Sequence, residues 1–219
     1  MSSSLGRQPE HRAFLDRTRP IARTAREVER CRAIAGWNSL TAIMPAPDIR
    51  PLAPDPSTID TLANLLIETV AAGGSVGFMH PVAPAKARAF ARTALEAAAR
   101  GERIVLGAFI EGALASTVTL LLALPENQPH RAEIAKMMTR PAFRGRGLAR
   151  ALLVEAERLA VAQGRTLLVL DTAQEDGAAG LYEKQGFVRA GAIPDFALKP
   201  QGGLTATLLY FKRLGDAES

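Results

Sequence analysis

Cysteine is almost missing from this chain. Cys31 is the only one in 219 residues, which rules out an internal disulfide and points to a reducing compartment. Histidine is nearly as scarce: His11, His80 and His130 are widely spaced with no cysteine beside them, so no metal-ligand set is expected. Only two tyrosines occur, Tyr182 and Tyr210. No apolar run is long enough to span a bilayer; Leu120 to Leu124 ends at Pro125 and suits a strand. The first residues, with Arg7, Glu10, Arg12 and Asp16 and no early apolar run, do not read as a secretory signal. Cytoplasm is the expected location, with no membrane partner. Charge of one sign is lacking too, once the N-terminal segment is set aside. The first 45 residues carry eight arginines against four acids, and the rest is close to balanced at 19 basic and 18 acidic side chains. The net charge of +5 is therefore weak evidence for a nucleic-acid partner, and none is expected.

What is present is an ordinary globular composition, 47% hydrophobic and 22% charged, with length for one sizeable core plus an appendage. Residues 1–45 read as a basic extension, helical or partly disordered, in which Val28, Cys31, Ile34 and Ala35 can share one helix face. Met44 is a candidate functional start. Residues 46–214 read as the working domain and 215–219 as a tail. Five prolines between Pro45 and Pro56 surround one short extended piece, Ile49 to Leu52. A helix capped by Ser57 or Thr58 follows, with Ile59, Leu62, Leu65, Leu66 and Val70 as its buried stripe, stopped by Gly73-Gly74. Ser75 to Met79 is an ordered loop or short extended segment. A second helix is expected from about Ala85 to Arg100. Strands are expected over Arg103–Ile110 and Ala113–Leu124, reversed at Glu111-Gly112, then over Arg131–Met138, Arg165–Asp171, Phe187–Ile193 and Leu204–Phe211. The unbroken run Leu167 to Leu170 suggests a central strand covered on both faces. Pro194 to Gly203 is expected to be the loop joining the last two strands.

The most informative stretch is Arg144 to Ala149, R-G-R-G-L-A. It sits between a strand and a helix that begins near Gly147, and its two glycines allow a backbone nest whose N–H groups face an anion at a helix N-terminus. It matches neither G-x-x-x-x-G-K-S/T nor G-x-G-x-x-G. A flexible basic turn is the plain alternative.

R-x-x-G-x-A resembles the pyrophosphate-binding motif of the GCN5-related N-acetyltransferase (GNAT) family. The order strand, glycine turn, helix, hydrophobic strand, then Leu181-Tyr182 and Gly186-Phe187, is similar to that family's core. Arg131-Ala132-Glu133, Lys136-Met137-Met138, Leu170-Asp171-Thr172 and Tyr210-Phe211-Lys212 resemble most closely the tabtoxin-resistance acetyltransferase and its relatives. The resemblance implies an α/β fold with a mixed, mostly antiparallel central sheet flanked by helices, and acetyl-CoA as co-substrate.

It also implies site residues. Met137, Met138, Thr139, Arg144, Gly145, Arg146, Gly147, Leu148, Ala149 and Asp176 are the expected cofactor-binding set. A solvated Arg146 and an Asp176 that merely caps the next helix are the competing readings. Tyr182 is the expected proton donor to the leaving thiolate, because a phenol is protonated at neutral pH; a core tyrosine is the alternative. Glu133 is the expected base or amine-positioning residue, against a salt bridge to Arg131 or Lys136. Asp171, at the C-terminal end of its strand, can hold a cationic amine, or cap a turn. His130, Asp195 and Phe196 are expected near the acceptor. Asp195-Phe196 departs from the glycine and tyrosine usual in the tabtoxin-resistance relatives, so their acceptor does not carry over. The expected activity is direct transfer of acetyl to a primary amine of a small molecule, such as an amino acid or dipeptide-like toxin. A peptide or protein acceptor and a non-catalytic acetyl-CoA-binding module are the alternatives, and monomer and homodimer both remain open.

Overall fold

The computed structural model describes residues 46–215. The expected helix around Val28 and the other readings of residues 1–45 lie outside the described residues, as does nearly all of the tail. Seven strands form one sheet: β1 (Asp48–Pro51), β2 (Arg103–Ile110), β3 (Ala113–Leu121), β4 (Arg131–Thr139), β5 (Leu167–Ala173), β6 (Val188–Leu198) and β7 (Leu204–Arg213), in the order β1-β2-β3-β4-β5-β7-β6. Only β4 and β5 run parallel. Four helices complete it: α1 (Pro56–Ala71), α2 (Pro84–Ala99), α3 (Leu148–Ala162) and α4 (Ala179–Lys184).

Local chemistry explains most boundaries. Asp55, not Ser57 or Thr58, caps α1: its carboxylate accepts the Thr58 N–H at 2.9 Å and both neighbouring hydroxyls. A carboxylate accepts more bonds than a hydroxyl, and those donors hold Asp55 well below the usual carboxylate range. Pro56 follows as the first helical residue, where its missing N–H costs nothing. The reversal at Glu111-Gly112 has φ of 50° and 79°, the double left-handed turn that matches strand twist.

The sheet is covered on both faces, by different helices. Leu106, Ala108, Ala132, Ile134, Leu168 and Leu170 pack with Leu152, Leu153 and Ala156 of α3 and with Tyr182 of α4. On the other face Val105, Leu114 and Met138 pack with Leu62, Leu65 and Leu66 of α1 and with α2.

Three expectations change. Leu167 to Leu170 is not covered on both faces: Leu168 and Leu170 are buried, while Leu167 and Val169 are half-exposed and Asp171 is exposed. The α1–α2 layer packs over β2 to β4, so this face of β5 stays open. Pro194 to Leu198 is strand, not loop; β6 passes a bulge at Asp195 (φ 52°) and turns only at Lys199–Gly203. Asp176 does not cap α4, whose N-cap is Ala178.

Leu152 is fully buried between α3 and the sheet. Leu152→Ala should cost about 2–5 kcal/mol, read as a lower urea midpoint at unchanged slope; a change below half a kcal/mol would contradict this packing.

Candidate active site

The site starts from a ladder that stops. β4 and β5 pair only over Arg131↔Leu167, Ala132↔Leu168 and Glu133↔Val169. Beyond Glu133, β4 continues along β3 alone and β5 along β7 alone. The two strands splay, and the β5-facing edge of Ile134–Thr139 has no strand partner among the described residues. A bulge sets this geometry: Thr117 pairs with Met138 and Thr119 with Ala135, so two residues of β4 oppose one of β3. Lys136 takes the strained φ of 53° there. The bulge also changes which face β4 side chains reach. Ala132 and Ile134 lie in the α3 core, but Met138 lies in the α1–α2 core.

The exit of β4 is tied down. Ser116 Oγ donates to the Met138 carbonyl at 2.8 Å, Arg140 N–H donates to Ala115 O at 2.9 Å, and Arg140 Nε donates to Leu114 O at 2.8 Å. The Arg140 guanidinium also pairs with Glu68 of α1. A short turn, Pro141–Phe143, then delivers the chain to Gly145 (φ 74°) and Gly147 (φ 77°), and α3 begins at Leu148. No side chain caps α3 and no acid lies in its first turn. The N–H groups from Gly145 to Arg150 have no backbone acceptor among the described residues. Uncapped donors, the helix dipole and the nearby Arg144 and Arg150 together make a seat for an anion. A Cβ built at Gly145 or Gly147 meets nothing within 4 Å, so the turn borders open space.

That space is a cleft of about 1230 Å³. It runs through the splay, from the loop Gly73–Gly77 after α1 on one face to Leu181 and Tyr182 of α4 on the other. Strand alternation places Glu133 and Asp171 on the first face, opposite their buried neighbours Ile134 and Leu170. Glu133 lies 3.4 Å from Arg131 Nη1, itself held by Gln128, so the salt bridge of the competing reading forms with Arg131 but is long. Asp171 accepts from Thr207 Oγ1 at 3.0 Å. Tyr182 stands across the splay, 5% exposed, with its ring packed against Phe187 and Tyr210 at centroid distances of 6.0 and 6.1 Å.

Most of the sequence-predicted residues come together. Met137, Met138, Thr139, Arg144, Gly145, Gly147, Leu148, Ala149, Glu133, Asp171, Phe196 and Tyr182 all line the cleft. Arg146 does not: its guanidinium stacks over Phe143 at 5.0 Å. His130 is not among the lining residues. It precedes β4, where its carbonyl accepts from Thr166 and Leu167, which is the closed end of the β4–β5 pair. Asp195 is not among the lining residues either, while its neighbour Phe196 is. Asp176 ends the turn Gln174–Asp176 between β5 and α4. Three lining cations are absent from the sequence-predicted set, Lys136, Arg150 and Lys184. Lys136 had a signal: simple alternation would put it in the apolar row Ala132, Ile134, Met138, which only a bulge can avoid.

The model of the acetyltransferase (GNAT) family matches residues 77–187. Solved structures share the fold across nearly their whole length. An N-acetyltransferase from Staphylococcus aureus Mu50 is 18% identical with a TM-score of 0.66, covering 77% of this chain and 99% of its own. A Salmonella typhimurium protein assigned as an acetyltransferase, solved with its cofactor acetyl-CoA, is 17% identical with a TM-score of 0.64 over 80% and 97%. The ribosomal-protein-alanine N-acetyltransferase from Brucella melitensis is 22% identical with a TM-score of 0.63 over 76% and 99%. This chain belongs to the GNAT acetyltransferase family. It is an acetyl-CoA-dependent N-acetyltransferase, and the uncapped α3 terminus beside an open β4 edge fits that co-substrate's phosphates and amide-bearing arm. Among the described residues no helix is long and apolar enough to cross a membrane, and no group of histidines, cysteines and carboxylates could hold a metal.

Proposed function

We propose that residues 46–214 form the catalytic domain and transfer acetyl directly to the primary amine of a small molecule with amino-acid or dipeptide-like character. The observation that carries this reading is the opposition of Glu133 and Asp171 on one face of the splay to Tyr182 on the other.

Acetyl-CoA supplies an activated acyl group as a thioester. The N–H groups of Gly145, Gly147, Leu148 and Ala149, with Arg144 beside them, hold its pyrophosphate, and the free edge of Met137–Thr139 bonds its pantetheine arm as an added strand would. Asp171 holds the acceptor ammonium. Glu133 Oε takes the proton that the amine must lose before it can attack. A backbone N–H near Met138 stabilises the negative charge that develops on the acyl oxygen. Tyr182 Oη gives a proton to the departing thiolate. No cysteine occurs anywhere in residues 46–215, which favours direct transfer over a covalent thioester on the protein.

Two contacts favour a small acceptor over a peptide. His80 N–H donates to the Pro200 carbonyl at 2.9 Å, and Gln201 Nε2 donates to Val70 and Ala71 carbonyls at 3.3 and 3.4 Å. They tie the end of α1 and the loop after it to the β6–β7 turn, on the side of the cleft that Gly73–Gly77 and Phe196–Leu198 line.

Thiol release measured against a panel of amines, amino acids and peptides, with the full chain and with one starting at Met44, tests the assignment. Tyr182→Phe should lower kcat roughly 10²-fold while calorimetry finds acetyl-CoA affinity little changed; full turnover at neutral pH would remove the acid role. Glu133→Gln should depress kcat/KM for the amine by a similar factor, with the loss partly recovered as pH is raised and free amine accumulates; a pH-independent residual of wild-type size would argue against it. Gly147→Val forces a branched side chain onto a left-handed backbone at the anion seat, so acetyl-CoA affinity should fall at least about tenfold, about 1.4 kcal/mol. Unaltered binding there would mean the phosphates sit elsewhere.

A further inference from the structure

The charges that line the acceptor half of the cleft do not cancel in pairs. Glu133 is bridged to Arg131. Asp171 accepts from Thr207 but has no ion pair among the described residues. Lys136 has none either: its half-buried Nζ donates to the carbonyl of Val76, a neutral group, at 2.9 Å. An ammonium carries three donors, so this bond leaves two unused. Burial lowers the Lys136 pKa from 10.5, against the opposing pull of Asp171 first and Glu133 second. A buried cation compensated by one carbonyl is short of negative charge.

The backbone is built to leave this cation in the cleft. The positive φ of Lys136 takes it out of the strand's alternation and sends its side chain to the loop after α1. Gly77 keeps room there, since a Cβ at that position would stand 3.2 Å from Nζ. Val76 and Gly77, which border the ammonium, line the same cleft as Asp171 and Glu133.

We propose that Lys136 Nζ receives a carboxylate of the acceptor, so that the acceptor is a zwitterion with its ammonium toward Asp171 and Glu133. This rests on the amine-acceptor reading above and narrows it to amines that carry a nearby carboxylate. Lys136 and Asp171, at the acceptor end of the cleft, are then each matched by one end of the same small molecule, which fixes its direction before transfer. An amine without the carboxylate leaves Lys136 as under-compensated as before and binds in no preferred direction.

The test is steady-state acetyl transfer by the full chain at saturating acetyl-CoA, with L-amino acids and the carboxamide of each as probes. One charge-assisted hydrogen bond is worth about 10- to 100-fold, and the free acid of the preferred pair should exceed its amide in kcat/KM by that factor. Lys136→Met should erase the gap by lowering the acid alone, and Lys136→Arg should restore part of it. Calorimetry of the preferred acid in the presence of CoA should show the same loss of affinity in Lys136→Met, with CoA binding unchanged. Equal use of acid and amide by the wild type overturns the proposal. So does a Lys136→Met variant that loses both equally, as a residue that only holds the loop would. If the full chain acetylates no amine at all, the amine reading itself falls; if it acetylates amines without regard to the carboxylate, that reading stands and only the role of Lys136 falls.

Discussion

Everything at this site depends on the separation of β4 from β5 after a three-residue parallel ladder. A sheet interior normally satisfies its backbone donors and acceptors strand to strand, and leaving them open is costly unless water or a ligand replaces the missing strand. Here the cost is sustained by fixed points on either side. The Lys136 bulge swings β4 toward β3, and Ser116 and Arg140 fasten its far end. β5 is meanwhile held by seven register pairs to β7. Neither strand can close the gap without breaking its outer partnership, so the open edge is a standing feature of the fold.

The sequence disclosed the elements and the anion seat but not the splay. Periodicity and glycine spacing located the strands and helices, and R-G-R-G-L-A marked the α3 terminus, because short-range chemistry dictates both. Its physical content held: the donors are unsatisfied and the first turn has no acid. The bulge was invisible to a reading by strict alternation, since the lysine in an apolar row looked like an ordinary polar interruption. The same blindness explains the errors at β5 and β6. An unbroken apolar run does not reveal that the covering helices stop short of Leu167 and Val169. Likewise Pro194 reads as a breaker, although an edge strand tolerates it because its N–H side needs no ladder bond.

Site residues were legible in proportion to how local their geometry is. Glu133, Asp171 and Tyr182 each follow from a strand or helix position, and all three reach the cleft. His130 and Asp195 are not among its lining residues. His130 precedes the strand at the end where β4 and β5 are still paired, and distance along the strand, not along the chain, decides which side chains reach a splay. Asp195 sits at a register shift, with φ at 52°.

The splay also lies between separate cores. On one side of the cleft stand α3 and α4, whose apolar sides share one core with Leu168 and Leu170. On the other stand the loop after α1 and side chains of the opposite face, over a second core that includes Met138. Met138 belongs to this second core only because of the bulge, although its strand contributes Ile134 to the first. β3 and β4 both switch cores in mid-course, since Leu114 lies in the second core but Val118 and Leu120 in the first, and on β4 the switch falls beside the cleft. A substitution that removed the bulge would not just reposition Lys136. It would return Met138 to the α3 side, disturb both cores, and let the β4 edge realign with β5, closing the cleft.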